Sequence, residues 1–363
     1  MPNVPACLAA AVVASVAPSD ANAQEHPAPP RYRIIDLGVV GDATASQAFG
    51  VSPRGAIVVG RDLGPSGNPA YQWTRATGAV ALPNLPGRAY AQANAVNDGG
   101  LAVGTSTTTV FGAGALPVRW TDGAVTPLTL PAGQTVGRAN AVNQAGVAAG
   151  SVGADVLERA AIFDGAATTL VTATTPTGRY MLYANGINDV GWVVGSGADP
   201  HDAAVNVALL YDSVAGTMTD LGALPGDNGA LAFGVSNGGF VVGSSMRDQG
   251  PGRPFMWTRK TGMVEIPLPP QTSQGAAYAV NTEGWAVGNG AGLYSVPFLH
   301  AGGKTYPLYT LLPPHSGWDL RTNTSSSALG ITDLGDIVGT GVHDGQTHGY
   351  LMVLKQGGDG AAP

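Results

Sequence analysis

Leu231-Ala232-Phe233-Gly234-Val235-Ser236-Asn237-Gly238-Gly239-Phe240-Val241-Val242-Gly243 is the stretch that decides the fold. Small residues lead to an anchor, Ser236. A glycine follows three residues later, and a short apolar run ends on a second glycine. The same phrase surrounds Ser52, Asn97, Asn143, Asn188, Asn281 and Thr332, so successive anchors lie 45, 46, 45, 48, 45 and 51 residues apart. A period of this length marks a repeat architecture in which each unit buries its apolar face against the next.

Working outward from Ser236, residues 231–236 read as a short apolar strand, Asn237-Gly238-Gly239 as a tight hairpin turn, and residues 240–243 as the returning strand. A polar loop over 244–253 leads to a third strand at Pro254-Phe255-Met256-Trp257. A second turn over 258–262 leads to a fourth strand over 263–268. Four short antiparallel strands per unit, repeated seven times with no helical periodicity, predict an all-β, seven-bladed β-propeller. Ala48, Ala93, Ala139, Ala184, Ala232, Ala277 and Ala328 each stand four residues before an anchor, and Val or Ile stands next to it. Alternation along the strand puts small residues where neighbouring blades crowd together. Trp73, Trp120, Phe163, Tyr211 and Trp257 occupy one slot of the third strand, where the wedge between blades is wide enough for an aromatic ring.

The last copy ends after its third strand. Ile34-Ile35-Asp36-Leu37-Gly38 matches the fourth strand Met218-Thr219-Asp220-Leu221-Gly222. The N-terminal strand is therefore expected to join the last blade and close the ring, which also covers sheet edges. An open β-solenoid, the alternative, leaves that match unused. The layout that follows is a signal peptide over 1–23, a Pro-rich linker over 24–31, the propeller over 32–356 and a tail over 357–363.

Composition narrows the function. Charged residues make up 11% of the chain, against about 25% in an average domain. The formal charge is −7 and the 17 basic residues are scattered, which argues against nucleic acid as a partner. The apolar run over 7–17 is too short to span a bilayer, and Ala21-Asn22-Ala23 supplies a small-x-small cleavage site. The segment before Cys7 lacks Lys and Arg, so a start codon further upstream stays open. Cys7 is the sole cysteine. The mature chain is thus expected to be secreted or periplasmic, monomeric, free of disulfides and without a transmembrane segment.

The phrases Asp220-Leu221-Gly222, Gly234 to Ser244 and Asn188-Asp189-Val190-Gly191-Trp192-Val193-Val194-Gly195-Ser196 resemble the HAF-repeat family of bacterial extracellular repeat proteins. The resemblance covers nearly the whole mature chain. The His-Ala-Phe tripeptide that names the family is replaced by Arg253-Pro254-Phe255 and His348-Gly349-Tyr350. The resemblance implies export and a repeat fold, and it implies no activity, substrate or catalytic residue.

Gly234-Val235-Ser236-Asn237-Gly238 fits the G-x-S-x-G pattern of a serine hydrolase. That motif needs a strand leading into a helix, whereas Ser236 fills the repeat's anchor slot and a strand follows it. Anchor side chains are expected to hydrogen-bond local backbone in the turn. None of His26, His201, His300, His315, His343 and His348 forms the i, i+4 pair of a helical metal site. His300 falls in the aromatic slot, and His343 and His348 share a loop with Asp344, where they could bind a metal but read as solvated. Asp62, Asp202, Asp248 and Asp344 recur after second strands without the spacing of a calcium loop, so no metal and no cofactor is expected.

The loops after the second and fourth strands share one face of a propeller, and two of them are enlarged. One, over 172–182, contains Arg179 and Tyr180. The other, over 311–327, contains His315, Trp318, Asp319 and Arg321. Aromatic, acidic and basic side chains together suit an extracellular carbohydrate or peptide ligand, with Trp318 as a blade-edge cap the structural alternative. The sequence thus predicts an exported, non-catalytic binding or interaction module for a glycan or protein. The alternatives are a lyase- or glycosidase-type propeller enzyme using loop acids such as Asp202, Asp248, Asp319 and Asp344, and a structural surface protein.

Overall fold

The computed structural model describes residues 29–110, 112–153 and 158–355. The expected signal peptide, most of the expected linker and the expected tail fall outside the described residues. Seven antiparallel sheets form a ring. Blades one to six each use four consecutive strands, as in blade one with Ala45–Val51, Ile57–Leu63, Ala70–Thr74 and Gly78–Ala81. Blade seven contains Ser327–Ile331, Ile337–His343 and Gln346–Leu354, and its fourth strand is the N-terminal Tyr32–Asp36. Tyr32 pairs with Leu354 and Asp36 with Tyr350, so the two ends of the chain close the ring as the sequence predicts. Among the described residues no helix is long and apolar enough to cross a membrane.

The core is a set of seams between blades rather than one central mass. Ala48, Tyr71, Val338 and Leu351 pack blade seven on blade one. Val59, Ala93, Val118 and Trp120 pack blade one on blade two. The alanine four residues before each anchor is fully buried in all seven copies, which is what close approach of inner strands requires. Trp120 is buried and its indole N–H donates to the Pro83 carbonyl at 2.8 Å. Trp120→Ala is expected to cost about 3–5 kcal/mol, measured by denaturant unfolding.

The recurring phrase is explained by turn and bulge together. Its first glycine, at 55, 100, 146, 191, 239, 284 and 335, has φ between 74° and 86°, a region costly for any residue with a Cβ. The second has a different reason. Every inner strand carries a register shift just before the anchor, at Ala93/Ala95 in blade two for example. This β-bulge pushes a carbonyl toward the neighbouring strand. A Cβ on Gly104 would lie 1.9 Å from the Gln92 oxygen, and the other six copies show 1.8–2.0 Å.

Anchor side chains other than Ser236 do bond local backbone: the Leu101 N–H donates to Asn97 Oδ1 and the Val147 N–H to Asn143 Oδ1. The Asn anchors also bridge blades. Asn97 Nδ2 donates to the Asn143 carbonyl, Asn143 to Asn188, Asn188 to Ser236 and Asn281 to Thr332. Ser52, Ser236 and Thr332 lack the amide that would extend this chain of bonds around the axis.

Candidate functional site

The tight turns at the anchors occupy one face of the ring, and the longer loops occupy the other. On the long-loop face of blade seven, three strands end together. Ile337–His343 brings His343, Gln346–Leu354 brings His348, and the closing strand Tyr32–Asp36 brings Asp36. One ligand atom from each lies within 4.8 Å of the others. His343 Nδ1 is 3.1 Å from Asp36 Oδ2, and His348 Nδ1 is 3.0 and 2.9 Å from the two carboxylate oxygens. Burial would raise the Asp36 pKa, but the Gly38 N–H and the two imidazoles outweigh it and hold the carboxyl below its ordinary value.

The surroundings are unusually polar for a blade seam. Asp62 is fully buried, and burial pushes its carboxyl up to about 6 although the Val40 N–H and His348 pull it back. Asp62 Oδ1, the Tyr71 hydroxyl and His348 Nε2 are all buried without a hydrogen-bond partner. Buried polar atoms are nearly always satisfied, so several orphans in one electrostatic neighbourhood call for an explanation. The Trp318 indole stacks on the His343 ring, with centroids 4.7 Å apart and planes 13° apart, and meets Tyr350 edge-on at 5.7 Å.

Two imidazoles and a carboxylate are a mixed nitrogen–oxygen donor set for a first-row divalent ion such as zinc or, with added oxygen ligands, manganese, not for calcium, which takes oxygen ligands. Ligand atoms around a tetrahedral ion with bonds near 2.0–2.1 Å stand about 3.3 Å apart; the two imidazole–carboxylate pairs, now hydrogen-bonded, stand 2.9–3.1 Å apart, and the two histidine nitrogens lie within 4.8 Å of each other. His348 Nδ1 is engaged by Asp36, while its Nε2 is buried without a partner. The donor set therefore fits a metal. Reading His343 and His348 as solvated loop side chains is corrected: their side chains are only 26% and 13% exposed. Asp62 is also not a loop acid, since it sits within Ile57–Leu63.

The repeat supplies an internal comparison. In blade five the same cross-strand slot holds Arg253 against Glu265 at 2.7 Å. An arginine is enough for such a structural pair. Blade seven has His348 in that slot and adds His343 from the neighbouring strand, so two imidazoles instead of one guanidinium face the acid.

The residues expected from sequence divide. Trp318 belongs to the site: Trp318–Asp319 pairs with the end of Ile337–His343, so the indole both caps the blade and fixes the His343 plane. His315, at φ 59°, lines a shallow groove with Pro313, Pro314 and Trp318. Asp319 is used by its own turn, accepting from the Arg321 and Thr322 N–H groups and the Thr322 hydroxyl; burial would raise its pKa but these bonds lower it. Arg321 lies over the Tyr309 ring at 5.1 Å. Arg179 and Tyr180 are in blade four, where Arg179 is held by Asp199 at 2.8 Å and by Asp220, and Tyr180 lies under Arg159 at 5.0 Å. Ser236 has no hydrogen-bond partner on its hydroxyl, and a strand follows it, so it is no hydrolase elbow. Asp36 escapes sequence reasoning, although its signal was there: ring closure places the Asp of Asp36-Leu37-Gly38 beside the 343–348 hairpin.

No protein-family profile matches the chain, and no curated protein matches it. Solved structures do. An oligogalacturonate lyase in complex with manganese matches at TM-score 0.57 and 15% identity, over 91% of this chain and 95% of that one. An oligogalacturonate lyase from Vibrio parahaemolyticus matches at 0.52 and 12%, over 88% and 93%. A prolyl endopeptidase matches at 0.54 and 10%, over 87% of this chain and 51% of that one. At these identities the likeness is one of fold. The expectation of a non-catalytic module is nevertheless corrected. It rested on the lack of any convergent base or metal set, whereas Asp36, His343 and His348 do converge, and the matched structures of this fold include two lyases and a peptidase.

Proposed function

We propose that this chain is a propeller enzyme of the lyase type, acting on a saccharide at a divalent metal centre formed by Asp36, His343 and His348. The observation that carries this reading is the convergence of one carboxylate and two imidazoles within 4.8 Å on the long-loop face. A divalent ion held there supplies Lewis acidity toward an anionic oxygen of the substrate. The chain's own residues do the positioning. Asp36 orients both rings through their Nδ1 atoms, Trp318 fixes the plane of His343, and Tyr71 and Asp62 wall the seam behind His348. A lyase fits better than a glycosidase because glycosidases set a pair of carboxyl groups across the bond, whereas this cluster holds one and the neighbouring Asp62 is fully buried. The matched lyases, one of them with manganese, support the reading by analogy of fold. Export is supported by the signal-like residues 1–23, and membership of the HAF-repeat family by the seven phrases.

The test is metal content and elimination together. Wild-type protein stripped with EDTA and reloaded with manganese is expected to retain about one ion per chain. It should then generate the ultraviolet absorbance of an unsaturated product from uronate polymers. His348→Ala is expected to lose the ion and to lower the rate by more than about a hundredfold. Full metal content and an unchanged rate in His348→Ala, or an inert metal-loaded wild type across a panel of uronate polymers, overturns the proposal.

A further inference from the structure

A second polar pocket opens where the inner strands of blades one to three meet the long-loop face. It has a volume of about 330 Å³, and Arg61, Gln92, Asn94, Arg138 and Asn140 line it together with Tyr90. No acidic residue lines it, in a chain of formal charge −7. Neither arginine forms an ion pair among the described residues, where Arg54, Arg179, Arg253 and Arg259 do. Arg61 is half-buried. Its Nε donates to Gln47 Oε1 at 2.9 Å and its guanidinium lies 5.6 Å from the Phe49 ring centroid, which hold the group while leaving its terminal nitrogens uncommitted. Burial without a counter-charge lowers its pKa. A half-buried, unpaired guanidinium is costly unless something anionic completes it.

The neutral side chains are partly committed. Gln92 Nε2 donates to Asn94 Oδ1, Asn94 Nδ2 to the Ala139 carbonyl and Asn140 Nδ2 to the Ala184 carbonyl. The Asn140 amide oxygen stays available as an acceptor beside the guanidinium donors. Donors for a planar anion next to an acceptor for hydroxyl groups match a sugar ring that bears a carboxylate. Position links the pocket to the metal-type cluster. Arg61 and Asp62 are consecutive on Ile57–Leu63, so they point to opposite faces of the sheet. Asp62 faces the His348 seam, and Arg61 faces the pocket.

We propose that this pocket binds the carboxylate of a uronate residue in an acidic saccharide, holding the chain while another of its residues reaches Asp36, His343 and His348. Its part in turnover rests on the lyase reading above; the binding itself does not. The test is calorimetric titration of a uronate trisaccharide, of the same trisaccharide with its carboxylates reduced to alcohols, and of inorganic phosphate. Wild type is expected to bind the uronate form at least about tenfold more tightly than the reduced form, the scale of a lost charge-assisted hydrogen bond. Arg138→Gln, on an exposed side chain, and Arg61→Gln are each expected to remove most of that difference, while His348→Ala keeps it. Equal binding of both trisaccharides, unchanged affinity in both arginine variants, or equal binding of phosphate overturns the proposal. Loss of binding in His348→Ala alone would move the ligand to the histidine cluster, ending this inference and leaving the lyase reading. Arginine-dependent binding without turnover by metal-loaded wild type would do the reverse.

Discussion

A chain lacking residues 32–38 is expected not to form the closed ring, losing on the order of 10 kcal/mol, which is comparable to the whole stability of a typical domain. Tyr32 is almost fully buried, its hydroxyl donates to the Gly335 carbonyl, and its N–H donates to the Leu311 carbonyl. Leu37 is buried in the seam between blades seven and one. Losing two such side chains costs about 3–5 kcal/mol each. The deletion also strips the partner from Gln346–Leu354, leaving a long apolar edge that invites pairing with other chains. The measurement is calorimetry with size-exclusion chromatography. A monomeric truncation with a cooperative transition within a few degrees of the full chain would show that the closing strand is dispensable.

The second large effect concerns the bulge glycine. Gly104→Ala is expected to destabilise by about 3 kcal/mol or more, at the upper end of overpacking costs. The added methyl would sit 1.9 Å from the Gln92 oxygen and 2.9 Å from the Ala93 Cα, both backbone atoms unable to step aside. Gly165→Ala is the control. Its φ is 58° but nothing lies within 4 Å of its Cβ position, so only the left-handed backbone cost of about 1 kcal/mol applies. Equal losses in the two variants would refute the steric explanation.

These two expectations show how far the sequence could be read. The period, the alternating small residues and the Asp36-Leu37-Gly38 match led to seven blades and to the closing strand, because blade packing and strand pairing leave a pattern along the chain. The bulge left no distinct pattern. Its glycines look like turn glycines until the Gln92 carbonyl is seen pressing on Gly104. The bridging role of Asn97, Asn143, Asn188 and Asn281 was equally hidden, since the acceptor carbonyls lie one blade away.

The site was read least well. Spacing breaks pointed to the loop over 311–327, and that loop does deliver Trp318 to His343. The same reasoning included Arg179, which Asp199 and Asp220 already neutralise three blades away. For His343 and His348 the solvated reading outweighed a metal, because a pair of histidines in a loop carries no sign of an acid arriving from about 310 residues upstream.

By itself the sequence determined the number of blades, their strand order and how the ring closes, because these depend on periodic local patterns of size and polarity. Only the tertiary structure decided which side chains meet. Closing the ring sets Asp36 against His343 and His348, and curving it places Arg61 and Arg138 around one pocket; both bring together residues remote along the chain.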